Sequence, residues 1–107
     1  MFIEGEPKQE PSELIGNNVR DANGDVCAGL IILSDLKGLK FQSADGIVKI
    51  DDSNPGRSLL FLSPNERVID VYCVGYTPLQ IILSEENIRL KSGQTWSVKV
   101  TSTISAG

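Results

Sequence analysis

Turn signals punctuate this chain at short, even intervals: Asn23-Gly24, Asp45-Gly46, Asn54-Pro55-Gly56, Ser63-Pro64-Asn65 and Lys91-Ser92-Gly93. The segments between them are brief apolar or alternating runs, rich in β-branched residues. No stretch longer than about 10 residues shows helical periodicity, which excludes a parallel sheet wound with helices. Strand-plus-turn units of about 8–12 residues are the pattern of a sandwich or small barrel. The expectation is therefore an all-β fold, a small antiparallel β-sandwich of about 7–8 short strands.

The best-patterned stretch is 57–76. Apolar runs at 59–62 and 68–74 flank Ser63-Pro64-Asn65-Glu66 and read as a β-hairpin. In the second run Ile69, Val71 and Cys73 share the core face, and Val68, Asp70, Tyr72 and Val74 the other. Residues 25–33 are too continuously apolar for an exposed strand and read as a central one, covered on both faces. A turn at Asp21-Ala22-Asn23-Gly24 delivers them. Residues 39–43 alternate, and Asp45-Gly46 predicts a hairpin into 47–50. Further strands are expected at 79–83, 88–90 and 95–101, with 84–87 a loop or a single helical turn. In the last strand Trp96, Val98 and Val100 face inward, and Ser97, Lys99 and Thr101 outward. The expected core is Phe41, Leu60, Leu62, Ile69, Val71, Trp96 and Val98.

A chain of 107 residues is one domain by size, and at 40% hydrophobic it can bury a real core. Residues 1–13 hold Glu4, Glu6, Glu10 and Glu13 against Lys8, with Pro7 and Pro11, and are expected to be an acidic arm or linker. Residues 14–104 are expected to form the sandwich domain and 105–107 a tail. Of the net charge of −4, −3 lies in the arm, so the body is nearly neutral and nothing steers it toward nucleic acid or anionic lipid. No apolar run approaches the ~18 residues of a membrane span. The first residues carry no apolar signal core, so an exported form is expected to have lost its signal, and the chain reads as a piece of a longer one.

The candidate chemistry is thin. The sequence contains no histidine, which removes the commonest general base and zinc ligand together. Asp21, Asn23 and Asp25 have the spacing of the first three ligands of a calcium loop. Positions six and twelve of that loop, however, are Val26 and Ile32 where it needs Gly and Glu, so a plain turn is the better reading. Cys27 and Cys73 fall on expected buried strands, where a free thiol is a small apolar filler. Export would permit a disulfide, and two free buried thiols are the favoured reading. Asp51-Asp52 and Glu85-Glu86 are neighbours on an extended chain and point to opposite faces, so neither makes an acid–base pair. Lys37, Lys40 and Lys49 with Phe41 are too sparse for a nucleic-acid platform. Tyr72, Tyr76 and Trp96 could stack on a sugar, but Trp96 fits the core better and Tyr72 the sheet edge. No catalytic, cofactor or metal residue is assigned.

Two resemblances add to this reading. Pro64 at a turn, Val68, Asp70-Val71 and Tyr72 in a strand, Gly75-Tyr76 at its end and Gly93 before Trp96-Ser97-Val98-Lys99-Val100 resemble the PEGA domain. That is a small β-sandwich module of bacterial envelope and surface proteins. The turn reads Pro64-Asn65-Glu66-Arg67, without the glycine of the family's name motif. Pro11-Ser12-Glu13-Leu14, Arg20 to Ala28, Gly38-Leu39-Lys40-Phe41 and Gly46-Ile47-Val48 look like the strand pair that precedes PEGA-like domains in exported proteins of Bacteroidetes-type bacteria. The resemblance implies a non-enzymatic, extracytoplasmic structural or interaction module of a larger protein. Its implied partners are neighbouring domains of its own chain or envelope proteins, with no transferred site residue and no cofactor. The alternatives are a carbohydrate-binding module, which needs two coplanar exposed aromatics, and a subunit of a surface or secretion assembly. Binding is expected at sheet edges, near 17–20 and 101–104, or at loops, because a small two-layer sandwich leaves no room for a ~300 Å³ cavity.

Overall fold

The computed structural model describes residues 1–10, 19–54 and 56–101. Eight strands form: β1 (Phe2–Glu10), β2 (Ala28–Ser34), β3 (Lys40–Ser43), β4 (Lys49–Asn54), β5 (Arg57–Leu62), β6 (Val68–Tyr72), β7 (Leu79–Ile82) and β8 (Thr95–Thr101). They make a five-stranded sheet, β1-β8-β2-β5-β4, and a three-stranded sheet, β3-β6-β7. The small all-β sandwich is as expected. All pairings are antiparallel except β2 with β8.

The core is built by alternation. Leu30, Ile32, Leu60, Leu62, Val98 and Val100 point from the large sheet toward Ile69, Val71 and Ile81 of the small one, and all are buried. Five of the seven expected core residues are among them; Phe41 and Trp96 are half-buried against the same cluster. The continuous apolar run of β2 is explained by its two faces. Leu30 and Ile32 enter the main core, while Ile31 joins Cys27, Leu59 and Phe61 in a second buried cluster on the outer face, with Val19 against it.

Both expected hairpins are corrected. The strands on either side of Ser63–Glu66, β5 and β6, lie in different sheets, and so do β3 and β4 on either side of Asp45-Gly46. Each turn carries the chain across the core. A period-2 pattern cannot separate these cases, because strands facing each other across a sandwich have the same apolar phase as strands side by side.

The acidic arm is also corrected. Phe2–Glu10 is the edge strand β1, paired with β8 from Phe2↔Thr101 to Glu10↔Thr95. Met1 and Ile3 reach the core, Glu4 lies 3.7 Å from Lys99, and the Ser97 hydroxyl donates to Glu10 at 2.8 Å. That contact keeps Ser97 buried where the alternation put it outward. Residues 88–90 form no strand: Ile88 is buried, and the Arg89 carbonyl is taken by the Trp96 indole at 3.1 Å. The readings that fall on 11–18, Pro55 and 102–107, including the Pro11–Leu14 part of the second resemblance and the tail, lie outside the described residues.

Candidate interaction surface

The two ends of the sandwich differ in chemistry. At one end β2 finishes at Ser34 beside Val100, β5 begins at Arg57 opposite Asn54, β6 finishes at Tyr72 opposite Lys40, and β1 begins at Phe2 opposite Thr101. We call this the open end. The opposite end gathers the turns at 21–25, 44–46 and 63–66 and is held by side-chain hydrogen bonds. We call it the latched end.

The latched end is built on two carboxylates. Glu66 is 5% exposed, and its Oε1 and Oε2 accept the N–H groups of Ala44 at 2.7 Å and Asp45 at 2.9 Å. Burial pushes its pKa up. The Asp45 and Ala44 N–H groups and the Ser43 hydroxyl pull it down, the Asp45 charge pushes it up, and the net direction is upward. Asp21 Oδ1 accepts the N–H groups of Asn23 and Asp25 at 3.0 and 2.9 Å. Desolvation opposes its charge, but hydrogen bonds from Asp25, Ser63, Asn23 and Gly24 outweigh it and hold its pKa below the ordinary value. The potential first ligand of a calcium loop is thus engaged with its own turn, while its Oδ2 is buried without a hydrogen-bond partner among the described residues. Sequence reasoning placed Glu66 only in a turn. Its partners lie 21 and 22 residues away, and no local pattern announces them.

Four of the six exposed large apolar residues among those described sit at the open end: Phe2, Leu33, Val74 and Tyr76. Val48 and Ile50, beside and on β4, are the others. A solvent-open cleft of about 430 Å³ lies there, between the β2–β3 connection and the start of β5. It is a surface cleft at the loops, distinct from the interior cavity that the sandwich was expected to have no room for. Ile32, Leu36 and Leu39 supply its apolar lining and Asp35, Lys37, Asp52 and Arg57 its charges. Its walls are clipped together: the Ser34 N–H donates to the Gly56 carbonyl at 2.9 Å. Gly56 has φ 74°, and a Cβ there would stand 3.0 Å from the Ser34 carbonyl oxygen.

The sheet edges are blunted. β1 contains Pro7, a register shift between Glu4 and Lys8 and a Gly5 with positive φ. β4 carries Lys49, Asp51 and Asp52 and its own register shift. β3 and β7 are four residues each, and the Ile82 carbonyl at the end of β7 already accepts the Glu85 N–H at 3.0 Å. Charges, proline, bulges and shortness are the devices that prevent strand addition. The proposed edge at 101 is corrected as well, since β8 is an inner strand.

The remaining candidates stay apart. Lys49 stands 5.7 Å over the Phe61 ring, away from Phe41. Trp96 is half-buried against the core with its N–H on the Arg89 carbonyl, and its solvent-facing part lines a cleft with Gly5, Glu6 and Pro7 that Tyr76 does not line. Cys27 and Cys73 are free thiols. Cys27 is buried on the outer-face cluster, and Cys73 is half-buried with its Sγ 3.5 Å from the Lys37 carbonyl. No family model, curated protein or solved structure matches the chain.

Proposed function

We propose that this chain is a non-catalytic β-sandwich module of a larger exported or envelope-associated bacterial protein, similar to the PEGA domain. The observation that carries the reading is the pairing of Phe2 with Thr101. It brings the first and last described strands to the same end, so a parent chain enters and leaves side by side and the sandwich projects from it. The resemblance is also conformationally consistent: Gly75 and Gly93 have φ of 87° and 76°, a region that favours glycine.

The compartment is tested through Cys73, which is half-exposed. A maleimide that crosses the outer but not the inner membrane should label it in intact cells. Labelling only after lysis overturns the extracytoplasmic part of the proposal.

A further inference from the structure

We infer that the cleft beside Trp96 is a binding site for a small organic polycation, an alkyl chain that carries two or more ammonium groups. The site shares no residue with the open-end cleft and stands independently of the module reading. One wall is made where β1 leaves its ladder. The register shift between Glu4 and Lys8 carries Gly5, Glu6 and Pro7 out of line with β8, and Gly5 has φ 74°. The other wall is the turn after β7, closed by the Asn87 N–H on the Ser84 carbonyl at 3.3 Å, with Asn87 at φ 59°. Trp96 lies between the core and this space. The cleft holds about 360 Å³, within the range of about 300–1,000 Å³ that small-molecule sites occupy.

Charge, ring and spacing together set the ligand. Glu6, Glu85 and Glu86 line the cleft, and no lysine or arginine does. Three formal negative charges therefore meet here, in a chain whose net charge is −4, and a cation is the complementary occupant. Trp96 adds what carboxylates alone lack. Its N–H is spent on the Arg89 carbonyl at 3.1 Å, so what it presents to the cleft is ring carbon. Indole is the best aromatic partner for a cation, and with Pro7 it also accepts methylene groups. Spacing separates an organic cation from a metal ion. Among the described residues no three acidic side chains are grouped so as to hold one metal ion. Calcium and magnesium need several oxygens around one point and gain nothing from an indole. Carboxylates spread along a cleft match ammonium groups spread along an alkyl chain.

The test titrates spermidine into the 107-residue chain at low salt, with calorimetry alongside the fluorescence of Trp96, the chain's single tryptophan. One site is expected, with a saturable change in the tryptophan signal. Binding should weaken several-fold at about 0.15 M salt, because surface charges are screened. Glu6 and Glu85 are exposed, so their glutamine variants keep the fold. Glu6→Gln and Glu85→Gln should each weaken binding about two- to fivefold. Glu4→Gln removes a carboxylate of the same strand that does not line the cleft, and should leave the affinity unchanged. Butylamine, with one ammonium group, should bind several-fold more weakly than spermidine. No heat and no fluorescence change up to about 10 mM spermidine overturns the inference. An equal loss in Glu4→Gln also overturns it, since the attraction is then to an acidic surface and not to a site. Calcium that saturates the same signal and displaces spermidine makes the cleft a metal site and overturns the organic ligand.

Discussion

The Glu66 carboxylate accepts the Ala44 N–H at 2.7 Å, reaching 22 residues back along the chain. With the second bond to Asp45 it ties the turn that leaves β3 to the turn that leaves β5, and both turns cross between the sheets. A buried charged acceptor with two amide donors is a strong local tie, and removing it leaves the Asp45 N–H short of a partner and the Ala44 N–H with only its longer bond to the Val68 carbonyl at 3.3 Å. Glu66→Ala should destabilise the fold by about 1–3 kcal/mol, measured by denaturant unfolding. A midpoint that does not move would mean water replaces the carboxylate at no loss.

The same residue has a pH signature. Its folded pKa lies above the ordinary carboxylate value, chiefly through burial. A raised folded pKa means the native state holds the proton more tightly than the unfolded chain. The associated stability is complete below the ordinary value and is lost as pH rises through the folded one. Glu66→Gln has no such titration. The stability of wild type relative to Glu66→Gln should therefore fall as pH rises from the ordinary carboxylate range toward neutrality. A constant gap would show that the pKa is not raised. Asp21 acts in the opposite sense: its depressed pKa gives stability that is present above the ordinary value and is lost as pH falls through the folded one.

The strand pattern made the fold class and most of the core legible, because β-branched alternation and glycine turns are local signals. Leu60, Leu62, Ile69, Val71 and Val98 are buried as their phase requires. Sheet membership was not legible, because the same phase serves a neighbour in the sheet and a partner across it. β1 escaped notice because an edge strand draws on backbone pairing with β8 and needs few apolar residues. The open-end cleft was invisible for a different reason: Ile32, Leu36, Asp52 and Arg57 meet only through the packing of the β2–β3 and β4–β5 connections.

The two glycines that line the cleft separate conformation from space. Gly38 has φ 73° with nothing within 4 Å of an added Cβ, so Gly38→Ala should cost about 1–2 kcal/mol of left-handed strain alone. Gly56 adds a backbone oxygen 3.0 Å away, so Gly56→Ala should be clearly worse than Gly38→Ala. Chemical denaturation of the two variants decides the order. Equal losses would mean the Ser34 strand yields freely.

Trp96 is the largest side chain in the core pattern but only half-buried, whereas Leu60 is fully enclosed. Leu60→Ala should cost about 2–5 kcal/mol. Trp96→Ala should cost no more than that, although it removes far more volume, because the indole keeps contact with solvent and only part of it leaves a cavity. A Trp96→Ala loss well above that of Leu60→Ala would mean that the indole is fully enclosed.

Cys27 and Cys73 should behave as two unlike thiols. Cys27 sits in the outer-face cluster with Ile31, Leu59 and Phe61, fully enclosed, and burial with the nearby Asp21 charge raises its thiol pKa. Reaction requires the thiolate and access to it, and both are denied there. Cys73 lies at the open end with part of its surface in solvent. It belongs to the side of the main core, whereas Cys27 belongs to the outer face of the large sheet, so the sheet itself stands between the two sulfurs. A thiol reagent at neutral pH should therefore titrate one cysteine per native chain quickly and the second only as the chain unfolds, at a rate that follows denaturant. Two fast thiols would mean that the outer-face cluster opens readily. Neither thiol reacting in denaturant without reductant would mean that the cysteines are bridged, which the sheet between them forbids in this fold.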